Sequence, residues 1–177
     1  KETHMLHHKY TNVPEKDPDI VTKSSGFFHS LWVCGVKLRQ PNAGYGLQSN
    51  FYRENISSRA FKEHLIFFWF HWILLAFLCL SGHGLVVIAI WWLPRLIGTA
   101  YLQITLSFLP HKPMEKVGRY RDTRGWKATT GTILTQGMEY HIIHHLYPSI
   151  PLHKTPSAYR DMRHILEEKN CVLDGGI

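Results

Sequence analysis

Two short stretches of this sequence carry the same histidine pattern. His4-Met5-Leu6-His7-His8 lies near one end and His141-Ile142-Ile143-His144-His145 near the other. On a helix, positions i, i+3 and i+4 share one face, so each stretch can aim three imidazoles at one point. Neutral imidazole is a ligand for iron, zinc, copper and nickel. A tetrahedral zinc takes four ligands, so six histidines in matched triplets point to a centre of more than one ion. One triplet could arise by chance in a chain with thirteen histidines. Two matched triplets flanking one apolar block are hard to reach that way. Neither is a homopolymeric terminal run, which excludes an affinity tag.

The apolar block is what must bring the triplets together. Leu65 to Trp92 contains no Lys, Arg, Asp or Glu. Leu65 to Leu109 is long enough for two membrane crossings of about twenty residues each and too short for three. An even number of crossings returns the second triplet to the side of the first. Ser81-Gly82-His83-Gly84 and Pro94-Arg95 are both candidate breaks, and a short helix could fill the interval between them. The expected fold is all-α and integral to the membrane, a transmembrane helical hairpin with a cytosolic helical cap that carries the histidines. It reads as a single domain: 1–64 with the first triplet and an interfacial region, 65–109 the hairpin, 110–177 the cap with the second triplet. A buried hairpin in a soluble protein is the competing reading, and an uncharged run this rich in Phe, Trp, Leu and Ile argues against it.

The length of 177 residues suits one domain. A formal charge of +7 admits nucleic acid as a partner, but no nucleic-acid motif or aromatic–basic interleaving accompanies it. Basic segments flanking apolar spans fit the positive-inside rule, which puts both polar ends in the cytoplasm. Cys34, Cys79 and Cys171 are scattered, against a disulfide framework and compatible with a reducing compartment. The chain opens at Lys1, three residues before the first triplet, and is expected to be a fragment without its N-terminal part.

Several smaller features could serve the histidines. The prolines of Val13-Pro14-Glu15-Lys16-Asp17-Pro18-Asp19 predict an extended loop. Asp17 and Glu139 are candidates to hold ligand imidazoles by their non-metallated nitrogens. Asp17 also suits ordinary turn chemistry, as Asp19 does. Ser24 to Leu38 predicts an amphipathic helix at the membrane interface, and Gln40 to Gln48 a loop. His111 stands where the second span emerges; a lone histidine is usually a surface residue, but its place between the triplets makes it a candidate seventh ligand. Arg119, Arg121, Arg124 and Lys127 form a basic patch for an acidic partner or for anionic lipid. Ser157 to Asn170 predicts an amphipathic cover helix. His29, His64, His71, His83, His153 and His164 lack partner spacing and read as surface or interfacial residues. His71 is the least comfortable of these, being ionisable within a span.

Together these residues resemble the membrane-bound fatty acid desaturase/hydroxylase superfamily, whose histidine boxes surround a non-haem di-iron centre. His4–His8, followed by Lys9-Tyr10-Thr11-Asn12 and Asp17-Pro18-Asp19, is similar to the second box and its loop. His141–His145, followed by Leu146-Tyr147-Pro148-Ser149-Ile150-Pro151, is similar to the third. Leu109-Pro110-His111-Lys112-Pro113 and Gly118-Arg119-Tyr120-Arg121-Asp122-Thr123-Arg124 most resemble the carotenoid branch. The ending from Tyr140 to Cys171 is similar to bacterial and cyanobacterial β-carotene hydroxylases, with the ketolases close behind. The first box has no counterpart here, so the resemblance implies an incomplete site and a fragment inactive by itself.

The resemblance further implies a desaturase-like fold and His4, His7, His8, His111, His141, His144 and His145 as metal ligands. It implies two Fe ions, with O2 as co-substrate. Its implied partners are the bilayer, an apolar carotenoid or acyl-lipid substrate entering from it, and ferredoxin or a similar electron donor. The histidines would face the cytosol of a bacterial inner membrane or its equivalent. The expected reaction is hydroxylation of the ring of a carotenoid such as β-carotene. Ketolation and fatty-acyl desaturation are alternatives within the superfamily, and a non-enzymatic, histidine-rich metal-binding membrane protein is the alternative outside it. Transporters usually place ionisable residues within their spans, whereas these triplets flank them.

Overall fold

A computed structural model describes residues 1–35, 54–112, 115–127 and 132–173. The described residues are helical, with one isolated bridge between Arg124 and Val172 as the sole strand-like pairing among them. Helix α1 (Glu2–Tyr10) carries the first histidine triplet, and α2 (Phe27–Gly35) follows a proline-rich loop with a short 3-10 turn at Ile20–Thr22. Helix α3 (Ser58–Leu78) begins the apolar block. Beyond a π-helical turn at Cys79–His83 come α4 (Gly84–Val87), α5 (Leu93–Leu102) and α6 (Leu109–His111), joined by π-helical segments at Ile88–Trp92 and Gln103–Phe108. The cap is built from α7 (Thr132–Thr135), α8 (His141–Leu146) and α9 (Thr155–Glu168).

The block turns at the first of its two candidate breaks. Gly82 has φ +83° and ψ 5°, inside an otherwise helical run from Ser58 to His111. Glycine has no Cβ to clash in this left-handed conformation. The rings of His71 and Trp91 lie 5.2 Å apart, whereas twenty residues of straight helix would separate them by about 30 Å. The chain therefore folds back at Gly82. Pro94 sits in the first turn of α5 and does not break it. The π-helical segment just before it absorbs the missing donor and the ring's bulk. Taken by length and composition, Ser58–His111 is one candidate membrane span, and its most apolar window is only 6% buried.

Ser57 caps α3 by accepting from the Ala60 amide at 3.2 Å. The same serine is held by Glu2, which accepts from its amide at 2.6 Å and its hydroxyl at 2.7 Å. The start of α1 is thus tied to the start of the hairpin. At the other end of the hairpin, Gln103 Nε2 donates to the Thr22 carbonyl at 3.1 Å and bonds Ser30 at 3.3 Å. Phe108, Leu109, Trp126 and Met138 pack together where the hairpin meets the cap.

Helix α2 is two-faced, as an interfacial helix would be. Ser30, Val33 and Cys34 turn inward, while Phe27, Phe28 and Trp32 stand exposed. An outward aromatic face is stable where the surroundings are apolar, as at a bilayer boundary. Residues 36–38 of the expected helix and the whole Gln40 to Gln48 loop lie outside the described residues.

The cap has a conventional core of Ile142, Ile143, Leu146, Tyr159 and Leu166. Helix α9 starts two residues earlier than the sequence predicts, with Pro156 in its first turn, where a missing amide costs nothing. It ends at Glu168, and just beyond it Asn170, with φ +55°, lets Cys171 return an amide bond to Leu166 at 2.9 Å. Gly125 passes so close to this helix that a Cβ there would lie 3.2 Å from the Tyr159 ring.

Candidate metal centre

Helix α8 places its histidines by packing its other face. Ile142, Ile143 and Leu146 enter the cap core, which leaves His141, His144 and His145 on the side facing α1. Helix α1 presents His4, His7 and His8 from opposite, and His111 arrives on the last residue of α6. The seven rings form one cluster. His7 and His145 centroids are 5.1 Å apart, His8 and His145 4.2 Å, His7 and His111 4.9 Å, and His4 and His144 5.4 Å.

Within the cluster the structure groups six of the histidines into two sets of three. His4, His8 and His144 form one; His7, His111 and His145 form the other. In each set the candidate ligand nitrogens lie within 4.8 Å of one another. Each set combines both ends of the chain, so neither sequence triplet makes a site by itself. His141 belongs to neither set. Its ring touches those of His111, His144 and His145, and its Nδ1 is buried with no hydrogen-bond partner.

The buried set is oriented by hydrogen bonds behind the rings. His7 Nδ1 donates to Asp17 Oδ1 at 2.9 Å, with Asp19 Oδ2 at 3.6 Å. His111 Nδ1 faces the Asp122 carbonyl at 3.3 Å. Thr11 donates its hydroxyl proton to the His7 carbonyl at 2.6 Å, so its oxygen is free to accept from His145 Nδ1 at 3.3 Å. In all three rings the proton therefore sits on Nδ1, and the Nε2 lone pair faces the centre. His145 Nε2 is buried without any hydrogen-bond partner. An orphaned buried acceptor is costly unless something occupies it.

In the outer set, His4 Nε2 lies 3.0 Å from His8 Nε2 and 3.1 Å from His144 Nε2. Nitrogens held about 2.1 Å from a common ion sit about 3 Å apart. The donor set, its spacing and the orphaned nitrogen all fit bound metal ions.

Electrostatics favour the ligand form of most of these rings. Burial, then the neighbouring histidines, push His8 down to about 3 and hold His141 and His145 well below the usual histidine range. His4 and His144 are lowered for the same first reason. Each is therefore neutral at pH 7, with a lone pair to give. His7 alone moves upward: burial pulls it down, but its bond to Asp17 and the charges of Asp17, Asp19 and Asp122 outweigh that.

Two expectations need correction. The Glu139 carboxylate accepts from the Thr135 hydroxyl and bonds no histidine among the described residues, because its turn aims it at α7. Arg124 is buried and so leaves the exposed basic patch, while its amide bonds the Pro110 carbonyl at 2.9 Å. Arg119, Arg121 and Lys127 remain exposed, although Arg119 donates to the Leu146 carbonyl at 2.9 Å. Asp17 does hold an imidazole. It also accepts from the Asn12 amide at 2.7 Å and the Asp19 amide at 2.8 Å, which leaves its oxygens committed to orienting His7.

Two supporting residues escaped the sequence reading. Asn12, in a left-handed conformation with φ +63°, donates from Nδ2 to the Lys116 carbonyl at 2.9 Å and the Asp122 carbonyl at 3.0 Å. It clamps the loop after α1 to the loop after His111. Thr11 links His7 to His145. The one available signal was their position just after the first triplet. His153, His164, His64, His29 and His83 are exposed away from the cluster, and His71 packs between Trp72 and Trp91.

Neither the curated proteins nor the solved structures include a match to this chain. The family model for fatty acid desaturases, by contrast, matches residues 1–175. That match, the histidine sets and the long apolar helix mark a membrane protein of oxidoreductase type. The chain belongs to the fatty acid desaturase family.

Proposed function

We propose that this protein is an O2-dependent di-iron membrane oxygenase that hydroxylates the ring of a carotenoid such as β-carotene. The observation that carries the reading is the division of clustered histidines into two sets of three, each drawing on both ends of the chain. Two sets suit two ions, and C–H oxidation by O2 needs a redox metal, which zinc is not. The ligands would be His4, His8 and His144 for one iron and His7, His111 and His145 for the other, with His141 beside them. Bound iron would supply the electrons and Lewis acidity that O2 activation requires. All-imidazole ligation is charge-neutral and leaves positions open on each ion.

The chain's own residues do the remaining work. Asp17, Thr11 and the Asp122 carbonyl fix three rings in the Nε2-ligand tautomer. Burial of His7, His111 and His145 keeps bulk water from the inner position. The balance is one oxygen atom into the C–H bond and one into water, with two electrons and two protons supplied from outside. An acidic donor such as ferredoxin would deliver those electrons. Lys9 and Arg119 line an open cavity of about 510 Å³ whose walls include His8 and His145, which supports docking at that face. The substrate would enter laterally from the bilayer. The basic flanks of the hairpin support a cytosolic position for the centre.

Ring hydroxylation is preferred over acyl desaturation because Leu109–Pro113 and Gly118–Arg124 resemble the carotenoid branch. Expression of the full-length protein in a β-carotene-producing host tests this. Zeaxanthin supports hydroxylation, canthaxanthin would indicate ketolation, and unchanged pigment with altered acyl chains would indicate lipid desaturation. Metal analysis tests the chemistry itself. About two irons per chain are expected, and zinc without iron would sink the oxygenase reading.

A further inference from the structure

The two histidine sets are supported unequally. Behind the inner set, every ring has a fixed acceptor: Asp17 for His7, the Asp122 carbonyl for His111, the Thr11 hydroxyl for His145. Those acceptors are themselves held. Asp17 takes two backbone amides, the Asp122 carbonyl takes Asn12 Nδ2, and Thr11 is bonded to the His7 carbonyl. Nothing comparable stands behind the outer set among the described residues. His8 Nδ1 is buried and makes no hydrogen bond, although the His145 backbone lies near enough to favour its charged form, and the hydrogen bonds of His4 and His144 run only to other histidines.

Outer hydrogen-bond partners fix ring orientation and raise ligand basicity, and losing one costs about 10–100-fold in metal affinity. A carboxylate behind a ligand imidazole adds negative charge opposite the cation. The inner set has both advantages, and its rings are already confined by burial. The outer rings must give up side-chain freedom when a metal arrives.

We propose that the two positions load in order, the inner set (His7, His111, His145) first and tightly, the outer set (His4, His8, His144) second and exchangeably. Asp17 is the positioning residue that sets much of the difference. The proposal rests on the functional reading only for there being two metal positions, and it holds whatever the metal is. A tight inner ion would act as a permanent part of the site, while the outer ion would be the one gained and lost with metal supply.

The test is an anaerobic titration of the metal-free full chain in detergent with Co2+, followed by its d–d absorption against a competing chelator. Two steps at least about tenfold apart are expected. Asp17→Asn should weaken the first step by about 10–100-fold and leave the second in place. Thr11→Val acts on the same step through His145 and covers the case in which Asp17→Asn fails to fold. His144→Ala should remove the second step and keep the first. Two equivalents binding in one step would overturn the proposal. So would His144→Ala abolishing the tight step, or the Asp17 and Thr11 variants weakening both steps alike. A protein that binds zinc alone in two graded steps would sink the oxygenase and leave this inference standing.

Discussion

Leucine and isoleucine face outward along the hairpin and inward in the cap. Ile66, Leu80 and Ile90 are 67%, 89% and 72% exposed, while Ile142, Ile143 and Leu166 are 0% exposed. The residue types are the same, and the surroundings that would satisfy them differ. In the cap, burial removes apolar area from water at about 25 cal/mol per Å². Along the hairpin, lipid tails are as apolar as the side chains, so little is gained by turning inward. The polar part of the protein is thus the part with a core, and it is there that the histidines are held together.

The sharpest way to break this division is to destroy the centre and leave the hairpin alone. In the full-length protein, His7→Ala and His144→Ala should each reduce turnover to background and lower iron loading, His144→Ala to about one iron per chain because the inner set is intact, with insertion into membranes unchanged. Normal turnover in either variant would refute its ligand role, and loss of insertion would show that hairpin and centre do not separate.

Core deletions come next. Leu166→Ala should destabilise the cap by about 2–5 kcal/mol in a denaturant or thermal melt, since a fully buried leucine leaves both lost contacts and a cavity. Ile66→Ala, on the lipid-facing side, should change the same melt by less than about 0.5 kcal/mol. Equal effects would mean that the hairpin surface is buried after all. A charge reverses the comparison. Ile73→Lys should disfavour insertion by about 2.5–3.5 kcal/mol near a helix centre, read out as glycosylation-tagged insertion efficiency.

These differences also explain what was legible beforehand. Spacing alone grouped His4, His7 and His8, because periodicity reports which residues share a helix face. It could not report that the set divides across two sites, since that depends on the angle at which α1 meets α8. The hairpin was readable from its missing charges, and its turn was not. Gly82 and Pro94 are both helix breakers by type, and only the backbone distinguishes φ +83° at one from a helical turn at the other. For Asp17 the sequence left two roles open, orienting a ligand imidazole or ordinary turn chemistry, and its carboxylate performs both. Glu139 has the same chemistry two residues from a triplet, yet its turn directs it to Thr135. The Thr11 and Asn12 contacts join parts of the chain more than a hundred positions apart in sequence, which no local pattern encodes.

A smaller effect is expected at the turn that joins the hairpin's two arms. Gly82→Ala should cost about 1–2 kcal/mol, the penalty of placing a Cβ in a left-handed conformation. No neighbouring atom lies within 4 Å of the position a Cβ would take, so the loss would be conformational and not steric. The measurement is a melt of the detergent-solubilised protein, and an unchanged melt would mean that the turn does not hold this φ.

The smallest effect should come from a histidine outside the cluster. His153 lies exposed in the 3-10 turn Leu152–Lys154, beside the cap core and away from both histidine sets. If the cap works by holding particular imidazoles and not by its general richness in histidine, His153→Ala should leave iron content and product yield unchanged, with stability within about 0.5 kcal/mol. Iron content measured beside that of His144→Ala decides between the two. A parallel fall in both variants would mean that metal is gathered by the histidine-rich surface as a whole. A fall in His144→Ala alone would tie it to the geometry that α1, α6 and α8 build together.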